Sequence, residues 1–128
     1  MKIGQQVLAV GIGGIFGSIG RYSVSLLFAG VSGFPYTTLT VNLIGCFFLS
    51  FLLINKQIKS KLKPEVFIAV GTGLIGSFTT FSTFAIETIE LLETSFILAA
   101  FYVFISVIGG LILCYLGFRA TSGRRGTQ

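Results

Sequence analysis

The chain has 128 residues, is 53% hydrophobic with a mean hydropathy of +0.94, and carries only 10% charged residues. That composition excludes a soluble globular domain, in which about a quarter of the residues are charged. The formal net charge of +5 does not indicate a nucleic-acid surface, because the basic residues stand at the ends of apolar runs, where membrane topology places them.

Four apolar runs lie close to the roughly 20 residues that cross a bilayer as a helix. They span about Ile3–Gly30, Thr37–Ile54, Glu65–Leu92 and Phe96–Phe118. The expectation is an all-α, polytopic membrane protein, residues 1–128 forming a single four-helix unit whose function lies within the membrane. The N-terminal run is too long for a cleavable signal and lacks a small-residue cleavage pattern.

The first helix carries Gly11, Gly13, Gly14, Gly17 and Gly20. Gly13-x-x-x-Gly17 is a small-xxx-small pair, which lets helix backbones approach closely in lipid. Packing is the expected role of these glycines. Arg21 follows them, and a guanidinium near a span needs carbonyl, carboxylate or interfacial partners. Structural anchoring is its expected role.

The second helix opens with Thr37-Thr-Leu-Thr-Val-Asn-Leu-Ile-Gly45. Thr38 and Asn42 are four apart and share a face. An amide in a membrane helix either bonds a neighbouring helix or lines a polar path, and both readings stay open from the residues alone. Lys56, Lys59, Lys61 and Lys63 fill the next loop, and Pro64 marks a helix start.

The third run contains Gly71-Thr-Gly-Leu-Ile-Gly-Ser-Phe-Thr-Thr-Phe-Ser-Thr-Phe84, a stretch of glycines and hydroxyls that loosens a helix. Non-helical backbone at membrane depth is tolerated only when protein buries it or it lines a cavity, and broken helices build ion sites in many transporters. A break near mid-membrane is expected. Its G-x-G-x-x-G match is a decoy, lacking the strand-turn-helix context of a dinucleotide site. Beyond the break, Phe81 and Phe84 share a face and Thr83 and Glu87 share another. Glu87 is expected to partner Arg21 or the broken backbone, while Glu90 and Glu93 are solvated.

The fourth run has Tyr102 and Ser106 four apart, a narrow polar stripe on an apolar helix. Polar stripes on three helices therefore have residues to converge on one lining: Thr38, Asn42, Ser82, Thr83, Tyr102 and Ser106, with Phe81 and Phe84. None of these is anionic, so the carboxylate ring of a cation filter is missing. Hydroxyls and amide N–H groups donate to anions, and aromatic edges carry the positive lobe of the ring quadrupole. On residue type alone, however, apolar rings are core.

Lys2, Lys56, Lys59, Lys61, Lys63, Arg119, Arg124 and Arg125 all fall on one side of a four-span chain. The loops around Ser32 and Glu93 on the other side have no Lys or Arg, which predicts cytoplasmic N- and C-termini. Cys46 and Cys114 lie inside apolar runs and read as small hydrophobes. With no His in the chain, neither a transition-metal site nor a nucleophile–base–orienter set is assembled, so an enzyme is not expected.

The chain resembles the small fluoride channel family known as Fluc or CrcB. The resemblance rests on Gly13-Gly14-x-x-Gly17-x-x-x-Arg21-Tyr22, then Thr38-Leu-Thr-Val-Asn42-x-x-Gly45, then Gly73-x-x-Gly76-Ser-Phe-Thr-Thr-Phe-Ser-Thr-Phe84. It implies an antiparallel, dual-topology dimer in the plasma membrane with two pores, conducting fluoride passively out of the cytoplasm after HF has entered and dissociated. It further implies that Phe81 and Phe84 present ring edges to fluoride, and that Asn42 and Ser106 belong to a polar track with Tyr102 nearby. Thr38, Ser82 and Thr83 then line the path. The backbone carbonyls of Gly76 and Thr79 hold a structural sodium ion at the dimer centre, and Arg21 braces the vestibule with Glu87. The one-sided charge favours a single orientation, so the second subunit is either another copy or, as we lean, an oppositely inserted paralogue. Fluoride and membrane lipid are the remaining partners; nucleic acid is not one. A small multidrug exporter is the nearest rival, but it needs a carboxylate in the first helix, which this chain lacks. A non-conducting assembly subunit is the second rival.

Overall fold

A computed structural model describes residues 2–123; Arg124 and Arg125, counted among the positive charges above, lie outside the described residues. Four helical stretches are long and apolar enough to cross a membrane: Ile3–Leu27, Tyr36–Ile54, Pro64–Thr94 and Phe96–Ser122. The first two are α1 and α2 and the last is α7.

Local chemistry sets the ends of these elements. α1 stops three residues before the expected Gly30, because a turn follows in which Gly30 takes φ +86° and Gly33 φ +93°. Backbone of that hand is open to glycine at little steric cost. The lysine-rich loop is partly helical, a departure from expectation. Asn55 caps α3, Lys56–Lys61, by accepting from the backbone N–H groups of Gln57 and Ile58 at 3.1 Å each, which satisfies two donors left open at a helix start. Ser95 caps the start of α7, its hydroxyl accepting from Leu98 N at 3.3 Å. It continues past Phe118 to Ser122.

The third span is composite. α4, Pro64–Ile68, has proline in its first turn and passes into a π-helical segment, Ala69–Ile75, then into the single turn α5, Gly76–Phe78. The chain leaves helix at Thr79–Phe81 and re-enters it as α6, Ser82–Thr94. π geometry is uncommon and concentrates at functional positions.

α1 packs along the π segment and α5, while α2 packs along α7 and α6 leans on α7. Gly13 is the reason α1 lies so close: a Cβ there would meet the Ala69 carbonyl and stand 3.0 Å from Leu74 N. Few apolar side chains are buried, chiefly Val41, Leu52, Ile75, Leu91, Ala99 and Tyr102. Most Leu, Ile and Phe side chains of the spans face outward, as a lipid-embedded or oligomeric chain requires.

Candidate functional site

The site is organised by the interruption at Thr79–Phe81. Thr79 turns extended, with φ −84° and ψ 165°, and Thr80 is then held by Asn42 of α2. The Asn42 Nδ2 amide donates to the Thr80 carbonyl at 2.9 Å, and its Oδ1 accepts from Thr80 N at 2.8 Å. One side-chain amide thus replaces a peptide unit on both counts, leaving a single Nδ2 hydrogen free. Asn42 is therefore the bond between helices, and the remaining hydrogen is what it can offer to a path.

This clamp has a consequence for the backbone upstream. In an unbroken helix Thr80 N–H would bond the Gly76 carbonyl and Thr83 N–H the Thr79 carbonyl. Thr80 N–H instead goes to Asn42, and Thr83 N–H goes to Thr80 Oγ1 at 3.3 Å. The carbonyls of Gly76 and Thr79 are thus released by the same event. Nothing in the sequence pattern marks Thr80 as the hub, although an asparagine facing a glycine- and hydroxyl-rich break is the signal a peptide clamp would give.

The expected single lining divides into two cavities. One, of about 400 Å³, is bordered by Arg21, Thr38, Thr80, Thr83 and Glu87. The other, of about 420 Å³, is bordered by Asn42, Thr80, Phe81, Phe84 and Ser106. Thr80 touches both. Ser82 borders neither; its hydroxyl lies 3.5 Å from Thr80 Oγ1, and Thr80 Oγ1 donates to Thr83 Oγ1 at 3.1 Å. These three hydroxyls form one exposed cluster at the start of α6.

Glu87 has neither partner expected of it. Its Oε1 accepts from Thr38 Oγ1 at 2.9 Å and its Oε2 from the Tyr102 hydroxyl at 2.8 Å. Thr38 on α2 and Tyr102 on α7 each bond one oxygen of the carboxylate, and Arg21 borders the same cavity. Tyr102 is completely buried in a small core with Leu91 and Ala99, and its ring meets Phe34 edge-on at 5.5 Å between centroids. Tyr102 therefore supports the wall between the cavities. We expect Glu87→Ala to destabilise the protein by about 2–3 kcal/mol, because it strips a buried phenol and a buried threonine of their shared acceptor. Tyr102→Phe should cost less, and the difference is read from thermal unfolding of the two variants in detergent.

The two rings of interest stand 5.9 Å apart between centroids at 47°. Phe84 also packs on Tyr102, at 5.2 Å and 50°. Phe81 caps the start of α6 and is 78% exposed. Ser106 is the anomaly. Its hydroxyl oxygen is buried and has no hydrogen-bond partner, although buried hydroxyls nearly always find one. Ser106 does not use the carbonyl one turn back on α7, as Thr88 and Thr94 do on α6.

Against known families, residues 8–118 match the model described as CrcB-like protein, Camphor Resistance (CrcB). The chain belongs to the CrcB family. It is 45% identical over 116 residues to a protein of Oceanobacillus iheyensis named fluoride-specific ion channel FluC, covering 90% of each chain. A Desulfitobacterium hafniense protein, fluoride-specific ion channel FluC 1, is 44% identical over 84% of this chain and 95% of its own. A Listeria innocua protein, fluoride-specific ion channel FluC 2, is 44% identical over 94% of this chain and 95% of its own. The resemblance read from the three motifs is thereby borne out. So is the expectation that the chain is not an enzyme, since these CrcB relatives are ion channels by name.

Proposed function

We propose that this CrcB chain is a subunit of a fluoride-selective channel that lets cytoplasmic fluoride leave passively. The observation that carries the reading is the unpartnered, buried Ser106 hydroxyl beside Phe81, Phe84 and Asn42. A buried hydroxyl without an acceptor is unfavourable by about 1–3 kcal/mol, and a small anion relieves that deficit by accepting from it. The free Nδ2 hydrogen of Asn42 is a second donor, and the edges of the two rings supply weak positive potential. Together they offer replacement partners to an anion stripped of its water, without any fixed positive charge to trap it. The names of the relatives support fluoride as the ion.

The working unit is an antiparallel dimer with two pores. Its support is that Phe81, Gly76 and much of the apolar surface are exposed on the single chain. The released carbonyls of Gly76 and Thr79 suit a sodium ion, since hard cations take oxygen ligands, and a Cβ at Gly76 would meet nothing within 4 Å. Bound there, sodium would supply positive charge that ties the two breaks together. Lys56, Lys59, Lys61 and Lys63 support cytoplasmic termini, and that one-sided charge favours an oppositely inserted paralogue as the second subunit.

Fluoride efflux from liposomes containing the purified chain, with chloride measured in parallel, tests the reading. Fluoride flux without chloride flux is the expected result, and it also reports self-pairing. Silence both alone and with a co-expressed paralogue would overturn it. Ser106→Ala should lower fluoride flux by about tenfold, the equivalent of one modest hydrogen bond of about 1.4 kcal/mol, while leaving thermal stability equal or slightly higher. A drop in stability instead would return Ser106 to a packing role.

A further inference from the structure

Cys46 on α2 and Cys114 on α7 take no part in the pathway described above, yet both border the cavity that holds Phe81, Phe84 and Ser106. Both are free and half-buried. Their surroundings fix them closely. Ser50, one turn beyond Cys46, donates its hydroxyl to the Cys114 carbonyl at 2.7 Å, and Gly117 lets the α7 backbone approach the Phe47 carbonyl. Cys114 Sγ points back across the seam, 3.5 Å from the Cys46 carbonyl oxygen to which it donates. Cys46 Sγ lies 3.3 Å from where a Cβ on Gly110 would stand. Gly110 and Cys114 are one turn apart on a single face of α7, so the two sulfurs occupy neighbouring places in one seam.

We infer that Cys46 and Cys114 form a dithiol site for a soft cation of linear coordination, of which Hg²⁺ is the probe. Thiolate sulfur selects soft metals. Zinc wants four ligands, and among the described residues there is no group of three metal-ligating side chains. A two-coordinate ion needs only the pair. Neutral HgCl₂ reaches such a seam through the apolar phase. There two Hg–Cl bonds break, two Hg–S bonds form, and two protons leave with two chloride ions; nothing is oxidised or reduced. The bound ion stands at the wall of the Ser106 cavity and narrows it. That consequence rests on the channel reading, whereas the binding does not.

The experiment titrates HgCl₂ into the purified full chain. Thiolate-to-mercury ultraviolet absorption, the count of reactive thiols and the intact mass are followed, with fluoride efflux measured on the same preparation in liposomes. One mercury per chain should silence both thiols and stop efflux, and a dithiol should restore both where an equal amount of monothiol does not. Cys46→Ser and Cys114→Ser should each weaken binding by roughly 100-fold or more, the loss expected when a two-point attachment becomes one. Each variant should also be insensitive at the mercury level that saturates the unaltered chain. Two mercury ions per chain, a mercury bridge between two chains, or unchanged affinity in either variant would overturn the site. Binding with undiminished efflux would overturn its occlusion of the cavity. If metal-free liposomes carry no fluoride, either with the chain alone or with a co-expressed paralogue, the channel reading fails, while stoichiometry and thiol count still decide the site.

Discussion

Phe81→Ile and Phe84→Ile are each expected to cut fluoride efflux by at least about tenfold, the equivalent of an aromatic interaction of about 1.4 kcal/mol. The chain should still fold in both cases. Isoleucine keeps apolar bulk but has no quadrupole, so it removes the positive ring edge while leaving the cavity dry. The two positions differ in a way that protects the interpretation. Phe81 is 78% exposed, so its replacement removes almost no packing within the chain, and a loss of flux there is not a folding effect. Phe84 packs on Tyr102 and on Phe81 at 5.2 and 5.9 Å between centroids. Its replacement should cost about 1 kcal/mol of stability through those contacts. Efflux per unit of folded protein, normalised by size-exclusion elution, is the measurement. Native flux in both variants would sink the ring role and leave Phe81 and Phe84 as packing residues.

The four spans were legible because a run of apolar residues near bilayer length has one structural solution. The helix interruption was legible for a related reason: three glycines and six hydroxyls in fourteen residues, Gly71 to Phe84, weaken a helix that lipid would otherwise enforce. What periodicity did not carry was who holds the loosened backbone. Asn42 and Thr80 are 38 positions apart, and their bond depends on how α2 docks on the third span. The partners of Glu87 were misjudged on similar grounds. A carboxylate and an arginine in one membrane chain invite pairing by charge, but the bonds Glu87 makes are to Thr38 and Tyr102, one at each oxygen. The division of the expected lining into two cavities follows from the same clamp, since Thr80 is drawn between them. The short α3 helix escaped notice because its lysines dominate the composition, while its formation depends on the Asn55 cap.

A Leu or even an Ala at Gly13 is expected to destabilise the fold more than any single change at the cavities, by about 3 kcal/mol or more, the upper end of overpacking costs. The obstacle is backbone, which cannot rotate aside. A Cβ on Gly13 would enter the Ala69 carbonyl and lie 3.0 Å from Leu74 N, while a Cβ on Gly73 would lie 2.5 Å from the Val10 carbonyl oxygen and 3.0 Å from Gly13 Cα. The two glycines thus create one contact from opposite sides, and α1 has to withdraw from the π segment if either gains a side chain. Withdrawal also strains the bond from Ser77 Oγ to the Gly14 carbonyl, 2.9 Å, which ties α1 to α5 just ahead of the break. Gly11 and Gly14 supply the control, since a Cβ on either would meet nothing within 4 Å. Gly11→Ala and Gly14→Ala should be neutral or stabilising by up to about 1 kcal/mol, the ordinary helix preference for alanine over glycine. Circular-dichroism melting in detergent separates the two classes. Equal melting temperatures for Gly13→Ala and Gly11→Ala would mean that the α1–π contact contributes no stability, and the packing account of the glycine-rich helix would fall with it.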